Sequence, residues 1–308
     1  MTVLVTGGAG FIGSHLVDAL VAAGNDVRVL DDLSNGVKEN VNPDAELVVG
    51  TLADPDTVKR AVTGAELVFH LGALGAVSRS VADPLTTDQV NVHGTLSVLK
   101  QACDAGVRRV VFASSSSVYG DVEIIPTPET APLQPRSPYA VSKLAGEWYT
   151  RSFPGLFPIE TVALRYFNVF GPRQRPDAAY AAVIPLFATA LLAGERPVVY
   201  GDGLTTRDFT YVSDVVAANL AAAQAPSAVS GGVYNIAPGT SSSLLDLLAI
   251  LGRLVGREAE PVFEAPRPGD VPRACADASS ARRDFGWSPA VSLAEGLGHY
   301  MDWLRPDR

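Results

Sequence analysis

Short, almost continuously apolar runs recur along the first half of the chain, at residues 3–6, 27–31, 46–49, 67–71 and 110–114. A sixth lies around 161–166, and "VYNIA" at 233–237 makes a seventh. A strand with one wet face alternates apolar and polar residues. Short continuous runs instead predict strands buried on both faces, as in a parallel sheet. The Ala- and Leu-rich stretches between them predict helices, and some of their ends are readable. Asp54 followed by Pro55 predicts an N-cap and a first-turn proline ahead of "DTVKRAV". Gly24 and Gly106 fall where C-terminal glycines stop helices. The alternation of strand and helix predicts an α/β fold with right-handed crossovers and a doubly wound parallel sheet.

Beyond Tyr166 the pattern loses its regularity and gains Gly, Pro and Arg, as in "NVFGPRQRPDAAYAAVIP", "YGDGLTTRDF" and "APRPGDVPRA". This change predicts a smaller mixed α/β lobe that binds substrate over the mouth of the sheet. The expected division is residues 1–166, with a return segment at about 209–237, for the larger domain. Residues 167–208 and about 238–308 then form the smaller one.

Two motifs carry chemistry. In "VLVTGGAGFIGSHL" the glycines Gly7, Gly10 and Gly13 directly follow the first strand and open a helix. They allow, in turn, a tight turn, close approach of the backbone to a pyrophosphate, and tight helix–strand packing, the signature of a Rossmann dinucleotide site. Asp31 ends the second strand, placed to accept hydrogen bonds from an adenosine ribose and to repel a 2′-phosphate, which favours NAD over NADP. In "SPYAVSKLAGEW", Ser137 and Pro138 predict a helix start that sets Tyr139 and Lys143 on one face. A phenol with a pKa near ~10 is a poor base at neutral pH. A neighbouring ammonium and a cationic nicotinamide are expected to lower it.

Composition narrows the setting. The chain has 308 residues, is 47% hydrophobic and 19% charged, and carries a net charge of −9, which argues against a nucleic-acid surface. Cys103 and Cys275 are far apart and form no CxxC pair, so neither a disulfide framework nor a zinc site is expected, and a reducing cytoplasmic setting is favoured. The four histidines show no ligand spacing, and no metal is expected. The N-terminus lacks a basic leader, and no run approaches the ~18 apolar residues of a membrane span.

"TGGAGFIG", "DDLSNG", "SSSSVYG" and "RYFNVFGP", in this order, make the chain closely resemble the extended short-chain dehydrogenase/reductase superfamily, and within it the UDP-sugar 4-epimerases. The resemblance implies a Rossmann domain binding NAD and a lobe binding a nucleotide sugar. It implies Tyr139 as acid/base, Lys143 on the nicotinamide ribose and Ser115 as the relay serine. It places cofactor contacts at Gly7, Gly10, Phe11, Ile12 and Gly13 around the phosphates. Further contacts are implied at Asp31, Asp32, Ser34, Asn35 and Gly36, at Thr51 and Leu52, and at Leu71, Gly72 and Ala73. Asn91 and Tyr166 complete that set.

In this superfamily the positions held here by Ser115, Ser116 and Ser117 separate reactions. The 4,6-dehydratases read Thr-Asp-Glu there and the UDP-xylose-forming decarboxylases Thr-Ser-Glu. Without a carboxylate to make the extra proton transfers, the pattern that remains is 4-epimerization, by transient oxidation to a 4-keto sugar and re-reduction from the opposite face. Ser114, Ser116 and Ser117 are expected to satisfy backbone groups, with Ser116 also a candidate for substrate contact.

Sugar-side contacts implied by the resemblance are Val77, Asn168, Val183, Tyr200 beside the uracil, Arg207 and Arg267 on the diphosphate, and Asp270 on the uridine ribose. Arginine suits the diphosphate because its planar fork binds phosphate oxygens bidentately. Ala274 stands where enzymes restricted to UDP-glucose and UDP-galactose hold a tyrosine, which leaves room for a 2-acetamido group. A UDP-hexose epimerase handling UDP-GlcNAc/UDP-GalNAc alongside UDP-Glc/UDP-Gal is therefore favoured. UDP-glucuronate 4-epimerases share "SSSSVYG" but typically carry Thr at the place of Asn168. A non-catalytic NAD-sensing protein is the reading from another class, and the intact Ser115, Tyr139 and Lys143 argue against it. Two departures from the family pattern are Thr51, where an acid is usual, and "HLGAL" in place of "HLAA". A homodimer is expected through "VNVHGTLSVLKQACDAG" and the Tyr139 helix.

Overall fold

The structure is a computed structural model that describes residues 1–176, 182–266 and 272–305. All seven apolar runs become strands of one parallel sheet. They are β1 (Thr2–Thr6), β2 (Asp26–Asp31), β3 (Glu46–Val49), β4 (Leu67–His70), β5 (Arg109–Ser115), β6 (Glu160–Tyr166) and an edge strand, Gly232–Ile236. Their order is edge strand, β6, β5, β4, β1, β2, β3, so winding reverses between β1 and β4. At such a switch point the crossover helices diverge to opposite faces and leave a crevice at the carboxyl ends of the strands.

Both faces of the sheet are covered, which is why the runs are continuous. Val3, Val5, Val29, Phe69 and Val111 pack with Leu16, Val17 and Leu20 of the Phe11–Ala22 helix and Val215 and Ala222 of the Val212–Gln224 helix. Leu4, Leu30, Val68 and Val110 point the other way, onto Val58 and Val62 of the Pro55–Val62 helix and Val98 and Leu99 of the Gly94–Asp104 helix. The predicted ends hold. Asp54 accepts from the Asp56 amide, Ser137 accepts from the Ala140 amide, and Gly24 and Gly106 take φ values of 78° and 73°.

The second half builds its own core from Phe170, Ile184, Phe187, Val199, Phe209, Leu247, Leu251 and Leu297. Short strand pairs tie it together: Val169–Phe170 with Thr210–Tyr211, Thr206–Arg207 with Ser242–Ser243, and Val198–Tyr200 with Val262–Glu264. Between these pieces the Val212–Gln224 helix lies against the Phe11–Ala22 helix, and the edge strand pairs with β6. No described helix is long and apolar enough to cross a membrane.

Candidate active site

The strand ends open into a cavity of about 770 Å³. Gly7 supplies the first turn: its φ is 72°, and a Cβ there would meet the Gly72 amide nitrogen at 2.7 Å. Gly13 is required for packing, since a Cβ would run into the Gly7 carbonyl. Gly10 then caps a helix whose first turn has neither a side-chain cap nor an acidic residue, so its amides are left for an anion. Asp31 closes β2 on the same wall. Its carboxylate accepts from the Ala9 amide at 3.0 Å and the Leu33 amide at 2.9 Å, with lone pairs to spare for ribose hydroxyls. Burial pushes its pKa up, the two amides pull it down, and neighbouring Asp32 raises it again. Two acids side by side suit a ribose diol and oppose a 2′-phosphate. The cradle, the free helix amides and the acid fit a dinucleotide such as NAD.

Seventeen of the nineteen predicted cofactor residues line this cavity. Thr51 and Asn91 do not, and the cause is local. The Thr51 hydroxyl turns back to the Ala53 amide, and Gly50 and Leu52 form the wall instead. The Asn91 side chain is buried and holds both backbone groups of Leu74 and the Ser142 hydroxyl. The sequence reading missed Arg79, Arg173, Gln174 and Arg175, which also line the cavity. Arg173 sits at φ 66° and Ala76, just before the Arg79 helix, at φ 74°, conformations that no side chain announces. The Arg173 segment is pinned to the phosphate helix by Asp18 at 2.7 Å and by His15, which donates to the Pro172 carbonyl at 2.8 Å.

Tyr139 and Lys143 project from the Pro138–Ser152 helix onto the cavity wall, and Tyr166 joins them from the end of β6. The Ser115 oxygen accepts from the Ser117 amide at 3.2 Å, which leaves its proton free to act on the Tyr139 phenol. Burial raises the Tyr139 pKa, and Ser115 pulls it down. The lowering expected from Lys143 is not among the influences on the phenol. The ammonium donates to the Ala113 carbonyl at 2.8 Å and stands 6.0 Å from the phenol ring centre. Burial brings Lys143 down to about 8. The other serines also differ from expectation. Ser114 donates to the Glu147 carboxylate at 3.0 Å rather than to backbone, and the buried Ser117 hydroxyl has no partner among the described residues.

Two buried networks hold these groups. Glu147 pairs with Arg165, which also donates to the Tyr119 hydroxyl at 2.7 Å. On the other flank, the Thr95 hydroxyl donates to the Asn91 carbonyl, so it receives the Nε2 proton of His70. Nδ1 of His70 then accepts from Thr6, whose oxygen accepts from the Gly72 amide. Geometry alone therefore sets the tautomer and links the Gly72 loop to Asn91. Asn91 holds Ser142, which in turn donates to the Tyr139 carbonyl.

The sugar-side candidates lie apart from the cavity lining. Val77 opens the Val77–Ala82 helix and is 50% exposed; Val183 opens the Val183–Leu192 helix, next to cavity-lining Ala182. Asn168 takes φ 27° and donates to the Asp208 carbonyl at 3.4 Å. Tyr200 ends a strand opposite Glu264. Arg207 and Ala274 share one neighbour: the Thr206 carbonyl accepts from the Arg207 guanidinium at 2.9 Å and from the Ala274 amide at 3.2 Å. Ser116 follows β5 in a single helical turn. Arg267 and Asp270 lie outside the described residues.

Comparison with known proteins places the chain among its relatives. The model of the NAD dependent epimerase/dehydratase family matches residues 3–237. The UDP-glucose 4-epimerase of Mycolicibacterium smegmatis is 43% identical over 312 residues, covering 99% of each chain. The solved structure of UDP-glucose 4-epimerase from Thermotoga maritima, with UDP-glucose, matches with a TM-score of 0.94 at 39% identity over 98% of both chains. UDP-N-acetylglucosamine 4-epimerase from Methanobrevibacter ruminantium M1, in complex with UDP-N-acetylmuramic acid, gives 0.93 at 39% identity, over 98% of this chain and 97% of that one. With a family model over most of its length and a relative matched end to end, this chain belongs to the NAD dependent epimerase/dehydratase family, in the extended short-chain dehydrogenase/reductase branch of UDP-sugar 4-epimerases.

Proposed function

We propose that the protein inverts C4 of UDP-hexoses, including the N-acetylated pair UDP-GlcNAc/UDP-GalNAc, as an NAD-dependent 4-epimerase. The observation that carries this reading is Tyr139 and Lys143 together on the cavity wall with the Ser115 hydroxyl acting on the phenol, and serine rather than a carboxylate at positions 116 and 117. Bound NAD supplies reversible two-electron oxidation at C4. Tyr139 accepts the C4-hydroxyl proton and later returns it, with Ser115 oriented by the Ser117 amide to bridge phenol and sugar. Lys143 keeps two N–H donors for the nicotinamide ribose after bonding Ala113, and with a pKa of about 8 it is a cation at neutral pH. Arg207 and Arg267 anchor the diphosphate, Asp270 the uridine ribose and Tyr200 the uracil. The 4-keto sugar turns over about the diphosphate linkage, and no acid stands at Ser116 or Ser117 to divert it into dehydration.

Ala274 supports the wider substrate range, because a methyl side chain leaves room beside C2. The two solved relatives named for UDP-glucose and UDP-N-acetylglucosamine match this chain at the same 39% identity, so overall similarity does not separate the sugars. Asn168 favours neutral hexoses over UDP-glucuronate. A homodimer fits the exposed apolar side chains Val81, Leu85, Val141 and Trp148 on helices that pack side by side. The deciding experiment incubates the purified protein with UDP-Glc, UDP-GlcNAc and UDP-glucuronate separately, without added reductant, and follows C4 inversion by NMR. Interconversion of both neutral pairs is expected. Bound NAD with no inversion of any UDP-hexose would overturn the proposal.

A further inference from the structure

Asp208 follows Arg207 directly and is wholly buried, at 0% exposure, yet it touches neither the cavity wall nor the Ser115–Tyr139–Lys143 set. Among the described residues its carboxylate is held by backbone N–H groups from two other parts of the chain. Oδ2 accepts from Gly239 at 3.1 Å and from Ala276 at 2.9 Å, and Oδ1 accepts from Thr240 at 3.4 Å. Its own carbonyl accepts from the Asn168 side chain. One residue thus joins the Arg207 strand, the turn after the edge strand, the Ala274–Ala276 segment and Asn168.

The Ala274–Ala276 segment is fixed from other sides as well. The Ala274 amide donates to the Thr206 carbonyl, the Ser241 hydroxyl donates to the Ala274 carbonyl at 3.0 Å, and the Thr127 amide donates to the Cys275 carbonyl at 2.8 Å. Burying a carboxylate is costly unless its lone pairs are used. Only an ionised carboxylate offers acceptors in both directions here, since an amide would turn an NH₂ group against a backbone N–H. The segments it gathers carry Arg207, Ala274 and Asn168, the groups assigned above to diphosphate, sugar C2 and sugar.

We propose that Asp208 is the positioning residue of the nucleotide-sugar site. Without touching substrate, it sets the spacing between the diphosphate arginine, Asn168 and the Ala274 pocket. The proposal rests on the UDP-sugar reading above. It separates two quantities that a general folding role would move together: grip on the nucleotide sugar, and retention of NAD with the turnover rate of bound substrate.

The test compares wild type with Asp208→Asn by calorimetry with UDP alone, by KM and kcat for UDP-Glc and UDP-GlcNAc, and by NAD content after purification. The UDP Kd and both KM values are expected to rise about tenfold, with kcat within about twofold of wild type and NAD fully retained. The KM ratio for the two sugars is expected to shift as the Ala274 segment loosens. Ser241→Ala, at an exposed position, frees the same segment more gently and carries the test if Asp208→Asn does not fold. It is expected to raise KM for UDP-GlcNAc about two- to threefold at unchanged kcat. Unchanged UDP affinity and KM in the variants overturns the proposal, and so does a parallel loss of NAD. Wild-type protein that does not bind UDP overturns the UDP-sugar reading itself.

Discussion

The proposed mechanism asks Tyr139 to exchange a proton at neutral pH although burial favours its neutral form. The hydroxyl is therefore the group whose loss is felt most: Tyr139→Phe is expected to lower kcat by about 10²–10⁴. NAD content should stay unchanged, which absorbance of the extracted cofactor checks. His70 carries a prediction of another kind. Burial pushes its pKa down to about 3, with Lys143 adding to the effect, against 6.5 for the free side chain. Between pH 6.5 and about 3 the unfolded chain takes up a proton that the folded one refuses, so stability is lost as pH falls through that window. Asp208 works in the opposite sense, since burial raises it to about 6 and the folded form binds its proton first. Urea midpoints at pH 7 and pH 5 should therefore differ less for His70→Asn than for wild type. The glycine turn, Asp31, Tyr139 and Lys143 were legible because each is defined by its neighbours in sequence. The His70 tautomer was not, because Thr6, Thr95 and Asn91 meet it from three other elements.

Helix starts were the most readable features at the scale of the element, because a cap is satisfied within three residues. Ser137→Ala removes the bond to the Ala140 amide and is expected to cost about 1 kcal/mol in urea unfolding. The same helix depends on something its pattern does not reveal. Glu147 and Arg165 are both buried and bonded to each other across two elements. Removing one partner leaves an uncompensated charge in the interior. Glu147→Ala is expected to cost about 3–5 kcal/mol, several times the cap, by the same measurement. Strand limits moved for a related reason. The apolar run 110–114 omits Arg109, yet β5 begins there. Its guanidinium meets Glu160 at 2.7 Å and the Ala222 and Ala225 carbonyls, so a charge that should end a buried strand is satisfied inside one.

For the whole molecule, the apolar side chains left uncovered are the informative residue. Leu85 is 82% exposed and Trp148 53%, with Val81 and Val141 on the adjoining helices. The proposed homodimer would cover them, which makes Trp148→Glu a test: under that proposal the variant elutes at half the wild-type mass in size-exclusion chromatography with light scattering and retains NAD. The sequence by itself determined the seven strands, the winding, the phosphate turn and the Tyr–Lys pair. Periodicity, caps and glycine turns act over a few residues, and a parallel sheet needs continuous apolar strands. Only the tertiary structure decided that Lys143 spends a donor on Ala113, that Arg173 lines the cavity, and that Asp208 binds Arg207's strand to the Ala274 segment. Those contacts join residues far apart in the chain, and their geometry exists only once the elements that carry them are packed.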